Sequence, residues 1–155
     1  MKTLKLNFDG KEDFKPDNFL LLKDIVGLYF IFSPKRLIDY PFKKSNLLYI
    51  GMSEKITNSI GKRLKDHYDG VSKNDCISNY KKVEDVLFTY INFTMLKKFW
   101  NHKIEDLESY FILDFQNKYG SYPICNNKSG YNIVDFFFEY KLEINWSFFG
   151  GGNNE

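Results

Sequence analysis

Two apolar runs in the first third of the chain constrain its fold more than any other feature. Residues 24–34 (DIVGLYFIFSP) are rich in aromatic and β-branched residues, and residues 46–53 (NLLYIGMS) form a second run of this kind. Both runs are typical of buried strands. The segment between them contains prolines, several charges and a polar end, which indicates a long hairpin connection rather than a tight turn. We therefore expect two paired strands.

Helical periodicity appears twice after the second run. Ile56, Ile60 and Leu64 recur every four residues, which places them on one face of a predicted helix. Residues 95–120 carry the longest helical pattern, and Gly120 is a typical residue at the end of a helix. We therefore expect one helix directly after the paired strands and a longer one in the second half of the chain.

One more strand and two flanking segments complete the predicted fold. Residues 85–94 predict a third strand, and residues 76–85 fit a short helix. The chain of 155 residues suits a single domain, with a core at about 25–126. Residues 1–24 are expected to form a peripheral segment, and residues 131–149 a C-terminal strand region. The predicted fold class is α/β (α+β), with a small three-stranded antiparallel sheet flanked by helices.

Composition excludes several classes of protein. Apolar residues make up 43% of the chain and charged residues 27%, which is typical of a globular protein and not of a disordered or membrane-embedded one. The net charge of +2 is too small to indicate a nucleic-acid partner by itself. The charged N-terminus lacks a signal-peptide core, and no apolar run is long enough to span a bilayer. We therefore expect a cytoplasmic protein.

The chain has two cysteines, Cys76 and Cys125, and no CxxC motif. In a cytoplasmic protein we expect both to be reduced thiols. Together with His67 and His102 they offer the donor atoms for a zinc site, but no two of the four have the spacing of paired zinc ligands. We do not favour that alternative.

Small, aromatic and polar residues follow one another in a recognisable order along these elements. A Gly-x-Tyr lies on the first strand, a Tyr-x-Gly on the second, an arginine with a histidine on the helix, a glutamate on the long helix, and Pro-x-x-Asn after it. The residues are Gly27-Leu28-Tyr29, Tyr49-Ile50-Gly51, Arg63 with His67, Glu108, and Pro123 to Asn126. This order resembles the GIY-YIG endonuclease family over about residues 25–126.

The resemblance implies a function and a product chemistry. Members of the family are divalent-metal-dependent DNA endonucleases that leave a 5′-phosphate and a 3′-hydroxyl. The resemblance implies Mg²⁺ or Mn²⁺ held by Glu108, with Asn126 bracing the geometry on the metal side. Because the chain lacks the large extra domains of repair members, a restriction-type or mobile-element enzyme is the closer comparison. Met52 departs from the pattern, since many members carry a lysine there.

Each remaining side chain of the set suits a step of phosphodiester hydrolysis. Glu108 suits Mg²⁺, which prefers oxygen ligands and keeps several waters. Arg63 would clamp the scissile phosphate through a planar fork that cannot lose its proton. His67 would donate to the phosphate or orient water. Tyr29 and Tyr49 would flank the attacking water, and the sequence leaves open which of them acts as base.

Basic residues cluster in two segments, SPKRLIDYPFKKSN and EKITNSIGKRLKDH. A charge run is usually a solvated face, but beside a nuclease site it would bind DNA phosphates. We expect double-stranded DNA as the partner, and a homodimer is one way for a chain with one active site to cut both strands. The candidate DNA-binding residues are Lys35, Arg36, Lys43, Lys44, Lys62 and Lys65.

Two alternatives remain open at this point. The first is a nucleic-acid-binding or structural module on the same scaffold, with little or no nuclease activity. The second is a chance array of these motifs on an unrelated α/β domain, which a sheet other than a three-stranded antiparallel core would support.

Overall fold

The computed structural model describes residues 2–133 and 139–150. Within these ranges the chain forms eight strands, four α-helices and two short 3-10 helices. In chain order they are β1 (Lys2–Leu6), β2 (Glu12–Asp13), α1 (Pro16–Leu20), β3 (Gly27–Phe32), β4 (Ile38–Asp39), β5 (Lys44–Ser45), β6 (Leu47–Ser53), α2 (Ile60–Tyr68), α3 (Asp75–Val83), β7 (Leu87–Asn92), a 3-10 helix (Phe93–Met95), α4 (Ile104–Tyr119), β8 (Tyr140–Ile144) and a 3-10 helix (Trp146–Phe149).

The largest sheet has four antiparallel strands in the order β2-β7-β3-β6. Its three long strands correspond to the three predicted from the sequence, and β3 lies between the other two. The expectation of three strands was wrong by one, because β2 from the N-terminal segment adds Glu12 and Asp13 to the edge of β7. Two residues are too few to show an alternating pattern. The α+β class is confirmed.

Both faces of β3 are covered, which explains its continuous apolar sequence. Successive side chains of a strand point to opposite faces. Leu28 and Phe30 pack into a core with α4, whereas Tyr29 and Ile31 pack into a second core with α1, α2 and α3. Every residue of β3 is buried. The sheet therefore separates two cores, and Tyr29 lies on the α2 face.

The two principal helices begin later than the sequence pattern indicates. The backbone N–H of Lys62 donates to Oγ of Ser59 at 3.2 Å, so Ser59 caps α2 and Ile60 is its first residue. Ile56 precedes the helix and is 61% exposed, so its predicted place on one helix face with Ile60 and Leu64 was wrong. α4 begins at Ile104 and ends at Tyr119, and the φ of 91° at the following Gly120 is left-handed, as the stop signal predicts.

The two ends of the chain meet in a separate two-stranded sheet. β1 pairs in parallel with β8, from Lys2 beside Tyr140 to Leu6 beside Ile144. The C-terminal segment therefore contains a strand, as expected, and the N-terminal segment contributes its partner. Residues 134–138 of the predicted C-terminal strand region lie outside the described residues. Among the helices that the structure describes, none has the length and apolar character of a membrane span.

The long connection between β3 and β6 contains a small ribbon of its own. β4 and β5 pair antiparallel within it, with Ile38 beside Ser45 and Asp39 beside Lys44. The connection is therefore a folded hairpin and not a tight turn, as the sequence predicts.

Candidate active site

The two motif glycines are sites of close approach between strands. In the register of β3 and β6, Tyr29 lies opposite Gly51. A Cβ on Gly51 would lie 2.3 Å from Cζ of Tyr29, so only glycine leaves room for that ring. A Cβ on Gly27 would lie 1.9 Å from the carbonyl oxygen of Ile91 on β7. Gly51 thus leaves room for the Tyr29 ring, and Gly27 allows β3 and β7 to approach closely.

The two tyrosines share one face of the sheet. Tyr49 is paired with Ile31 and lies two residues before Gly51, so its side chain is on the same side as Tyr29. The two ring centroids are 6.1 Å apart. Tyr29 has no exposed surface, whereas Tyr49 is partly exposed. Tyr49 is therefore the phenol that solvent and a substrate can reach.

His67 on α2 lies over both phenols. Its Nε2 is 2.9 Å from the hydroxyl of Tyr29, and its Nδ1 is 2.7 Å from Oγ of Ser72. Burial, assisted by the charge of Arg63, lowers the pKa of His67 to about 4, so the ring is neutral at pH 7. We assign the Tyr29 hydroxyl as donor to Nε2 and the Nδ1–H as donor to Ser72. Both ring nitrogens are therefore occupied.

Arg63 lies one helical turn before His67 and is half-buried. Burial raises the pKa of Tyr29 well above its ordinary value, and it also raises the pKa of Tyr49. The positive charge of Arg63 acts in the opposite direction on both phenols but is the smaller effect. Both tyrosines consequently keep their protons at neutral pH.

Glu108 reaches the same region from α4, which packs against the edge strand β6. Burial raises the pKa of its carboxyl group to about 7, although Lys128 and Arg63 favour the ionised form. Among residues 2–133 and 139–150, no group donates a hydrogen bond to this carboxylate. Its oxygens are therefore free to bind a cation.

Asn126 holds the loop after α4 against the outer edge of β6. The N–H of Ile50 donates to Oδ1 of Asn126 at 3.0 Å, and Nδ2 of Asn126 donates to the carbonyl oxygen of Ile50 at 2.9 Å. The N–H of Cys125 donates to the carbonyl oxygen of Leu48 at 2.8 Å. The loop thereby covers an edge that would otherwise be open. Asn126 acts as a positioning residue.

The expectation of two reduced thiols was wrong. Cys76 and Cys125 form a disulfide with a Cα–Cα distance of 5.2 Å. They are 49 residues apart, and the fold of the loop after α4 brings them together at the start of α3. Their sulfurs are therefore not zinc ligands. In the described part of the chain, no cluster of three or more His, Cys, Asp or Glu residues is arranged to hold a metal ion.

The candidate residues surround one open cavity of about 430 Å³. Five of the six predicted site residues line it, and Tyr29 lies behind Tyr49 and His67. Sequence reasoning missed several polar residues of its wall, because they belong to two loops without a recognisable motif. The predicted residues that line the cavity are Tyr49, Arg63, His67, Glu108 and Asn126, and the missed ones include Ser72, Lys73, Asn74 and Lys128.

The predicted DNA-binding cations lie elsewhere. Lys35 and Arg36 border a groove beside the end of α3, where Arg36 forms an ion pair with Glu84 at 2.6 Å. Lys43 lies over the ring of Tyr119. Two lysines of α2 pair with the aspartates four residues later in the chain. None of the six predicted cations, Lys35, Arg36, Lys43, Lys44, Lys62 and Lys65, lines the central cavity.

Comparison with known proteins provides no relative on which a function can be based. No family model matches the chain, and neither a curated protein nor a solved structure matches it. A functional assignment therefore rests on the side chains around the cavity and on the chemistry that they support.

Proposed function

We propose that this protein is a divalent-metal-dependent DNA endonuclease that leaves a 5′-phosphate and a 3′-hydroxyl. The observation that carries the proposal is the meeting of Tyr49, Arg63, His67 and Glu108 around one cavity, although they lie on three different elements. A carboxylate, a guanidinium and a phenol hydroxyl that solvent reaches are parts that phosphodiester hydrolysis can use. Core packing alone does not require this combination.

Glu108 suits a bound Mg²⁺ or Mn²⁺. Its carboxylate oxygens accept no hydrogen bond from the residues that the structure describes, and it shares the cavity with Arg63. Mg²⁺ is commonly held by one or two carboxylates together with substrate phosphate and water, so a single carboxylate is sufficient. The bound ion would neutralise charge that develops on the phosphate.

Arg63 is assigned to the scissile phosphate. A guanidinium donates two parallel hydrogen bonds to a phosphate and stays charged at every physiological pH. The side chain is half-buried at the wall of the cavity, where a lower effective dielectric strengthens its attraction to an anion. Arg63 would therefore stabilise the transition state more than it stabilises a fully hydrated substrate.

Tyr49 is assigned to orient the attacking water, and Tyr29 to hold His67 in place. Because burial keeps both phenols protonated, neither serves as a phenolate base in this arrangement. Tyr49 faces the cavity, and Tyr29 fixes His67 from behind through its hydroxyl. The water oxygen bonds to phosphorus as the bond from phosphorus to the 3′ oxygen breaks. The water then loses a proton to solvent at the open mouth, and the 3′ oxygen gains one.

A nucleic-acid-binding module without nuclease activity is the second candidate. Both phenols are protonated, and both ring nitrogens of His67 are engaged in hydrogen bonds. None of these three side chains is poised to remove a proton, which favours the binding module. The two candidates agree on a DNA partner and differ on catalysis. Restriction-type or mobile-element cleavage of double-stranded DNA, by a monomer that nicks in turn or by a homodimer, belongs to the first candidate only.

Incubation with supercoiled plasmid separates the two candidates. We expect nicked and linear products with Mg²⁺ or Mn²⁺ and none with EDTA. Glu108→Gln should abolish cleavage. The control variant Glu105→Gln, which changes an exposed residue of the same helix, should cleave as the wild type does. Folded wild-type protein that binds the plasmid but never cuts it would support the binding module. Equal cleavage in EDTA would refute the assignment of Glu108 as a ligand of Mg²⁺ or Mn²⁺.

A further inference from the structure

Two lysines at the wall of the cavity have no role in the chemistry assigned above. Lys73 immediately precedes Asn74, the residue that caps α3, and Lys128 lies in the loop after α4. Both line the same cavity as Arg63 and Glu108. Neither belongs to the basic segments that the sequence highlights.

The two loops that carry these lysines are fastened to each other. The disulfide joins Cys76 to Cys125, and Nδ2 of Asn74 donates to the carbonyl oxygen of Cys125 at 3.0 Å. Lys73 lies three residues before one cysteine, and Lys128 lies three residues after the other. The cross-link therefore holds the two loops together, so their backbones need little further ordering when the lysines bind a ligand.

The charges around the cavity favour an anion that is longer than a single phosphate. Arg63, Lys73 and Lys128 contribute three positive charges to the wall, against the carboxylates of Glu108 and Asp75. A metal ion on Glu108 would shift the balance further towards positive. The N-terminus of α3 opens into the same wall, and its backbone dipole also favours negative charge.

Lys73 and Lys128 also differ from the lysines of α2 in their salt bridges. Lys62 and Lys65 are paired with Asp66 and Asp69 at 3.0 Å and 2.5 Å. Within the ranges that the structure describes, neither cavity lysine lies within salt-bridge distance of a carboxylate, although the charge of Lys128 favours the ionised form of Glu108. The cavity lysines are therefore available to bind phosphate without first breaking a salt bridge.

We propose that Lys73 and Lys128 form a second phosphate subsite, which binds a backbone phosphate of the cleaved strand beside the one held by Arg63. This inference rests on the proposed endonuclease function. Phosphate contacts position a nucleic acid and fix its register without reading its sequence. The subsite would therefore determine which bond is placed against Arg63 and Glu108, and its partner is DNA.

The first test is the salt dependence of DNA binding, measured in EDTA by fluorescence anisotropy on a labelled duplex. Lys73→Gln with Lys128→Gln should lower the slope of log Kd against log salt by about 1, because the loss of contact with one phosphate removes about one unit. The control is Lys97→Gln with Lys98→Gln, which removes two exposed charges that do not line the cavity. The control, and Lys73→Arg with Lys128→Arg, should keep the wild-type slope.

The second test removes the charge from the DNA instead of the protein. A duplex with one neutral methylphosphonate beside the cleaved bond should bind the wild type several-fold more weakly. The double variant, Lys73→Gln with Lys128→Gln, should bind this duplex and the unmodified duplex with equal affinity. Thermal unfolding of each variant establishes that it is folded, and a variant that does not fold is replaced by the single substitutions.

The outcomes separate this inference from the function on which it rests. A wild type that cleaves DNA, together with a double variant of unchanged salt slope and unchanged response to methylphosphonate, would overturn the subsite alone. A wild type that neither binds nor cleaves DNA would overturn both. Equal effects in the Lys97 and Lys98 control would show that only net charge matters, and this would also overturn the subsite.

Discussion

Replacing Glu108 with glutamine should make the protein more stable as well as inactive. Burial raises the pKa of this carboxyl group from the ordinary value of 4.5 to about 7. Ionisation is therefore less favourable in the folded protein than in the unfolded chain. The neutral carboxyl contributes stability that is fully present below about pH 4.5 and is lost as the pH rises through about 7.

The size of the effect follows from the same pKa values. The difference between 4.5 and about 7 corresponds to about 3 kcal/mol in the free energy of unfolding. Glutamine has the same shape and never ionises, so it avoids this loss at high pH. Without metal, we expect Glu108→Gln to exceed the wild type by up to about 3 kcal/mol at pH 8.5, and to match it at pH 4.

Urea unfolding in EDTA at pH 4, 6 and 8.5 measures this difference directly. Glu105→Gln is the matched control, because Glu105 is exposed on the same helix, and it should stay within about 0.5 kcal/mol of the wild type. Added Mg²⁺ should stabilise the wild type and not Glu108→Gln. A stability difference that is the same at pH 4 and pH 8.5, or of opposite sign at pH 8.5, would refute the reasoning.

Two other changes should have measurable consequences. Gly51→Ala would place a methyl group 2.3 Å from Cζ of Tyr29, so we expect a loss of about 1–3 kcal/mol in urea unfolding and slower cleavage; unchanged stability would mean that the Tyr29 ring does not lie over Gly51. Reduction of the bond between Cys76 and Cys125, which are 49 residues apart, should cost about 4 kcal/mol in the chain-entropy model, and a melting temperature unchanged by reductant would contradict the cross-link.

The fold was predictable wherever a long segment had one clear period. β3 and β6 are continuous apolar runs, so their pairing was predictable, whereas the order of the motifs and not the burial pattern placed Tyr29 and Tyr49 together. β2 was not predictable, because two residues show no alternation. The sequence pattern also extended both principal helices too far towards their N-termini, since the position of an N-cap depends on contacts as well as on periodicity.

The site was predictable in its regular elements and not in its loops. Arg63 and His67 share a helix face because four residues make about one turn. Lys73 and Lys128 share a cavity only because tertiary contacts bring two loops together. No local pattern encodes such a contact. The same reason explains why the disulfide at these loops was missed.

The most direct test of the central claim is the single-turnover cleavage rate of Arg63→Lys on folded protein at saturating Mg²⁺. Lysine keeps the charge but cannot make the two-pronged contact, so we expect cleavage to slow by about a hundredfold or more, or roughly 3 kcal/mol, with a modest loss of DNA affinity. Arg36→Lys is the matched control, since Arg36 lies on another surface beside Glu84, and it should cleave at the wild-type rate. A rate for Arg63→Lys within a few fold of wild type would contradict the assignment of this cavity as a phosphodiester-cleaving site.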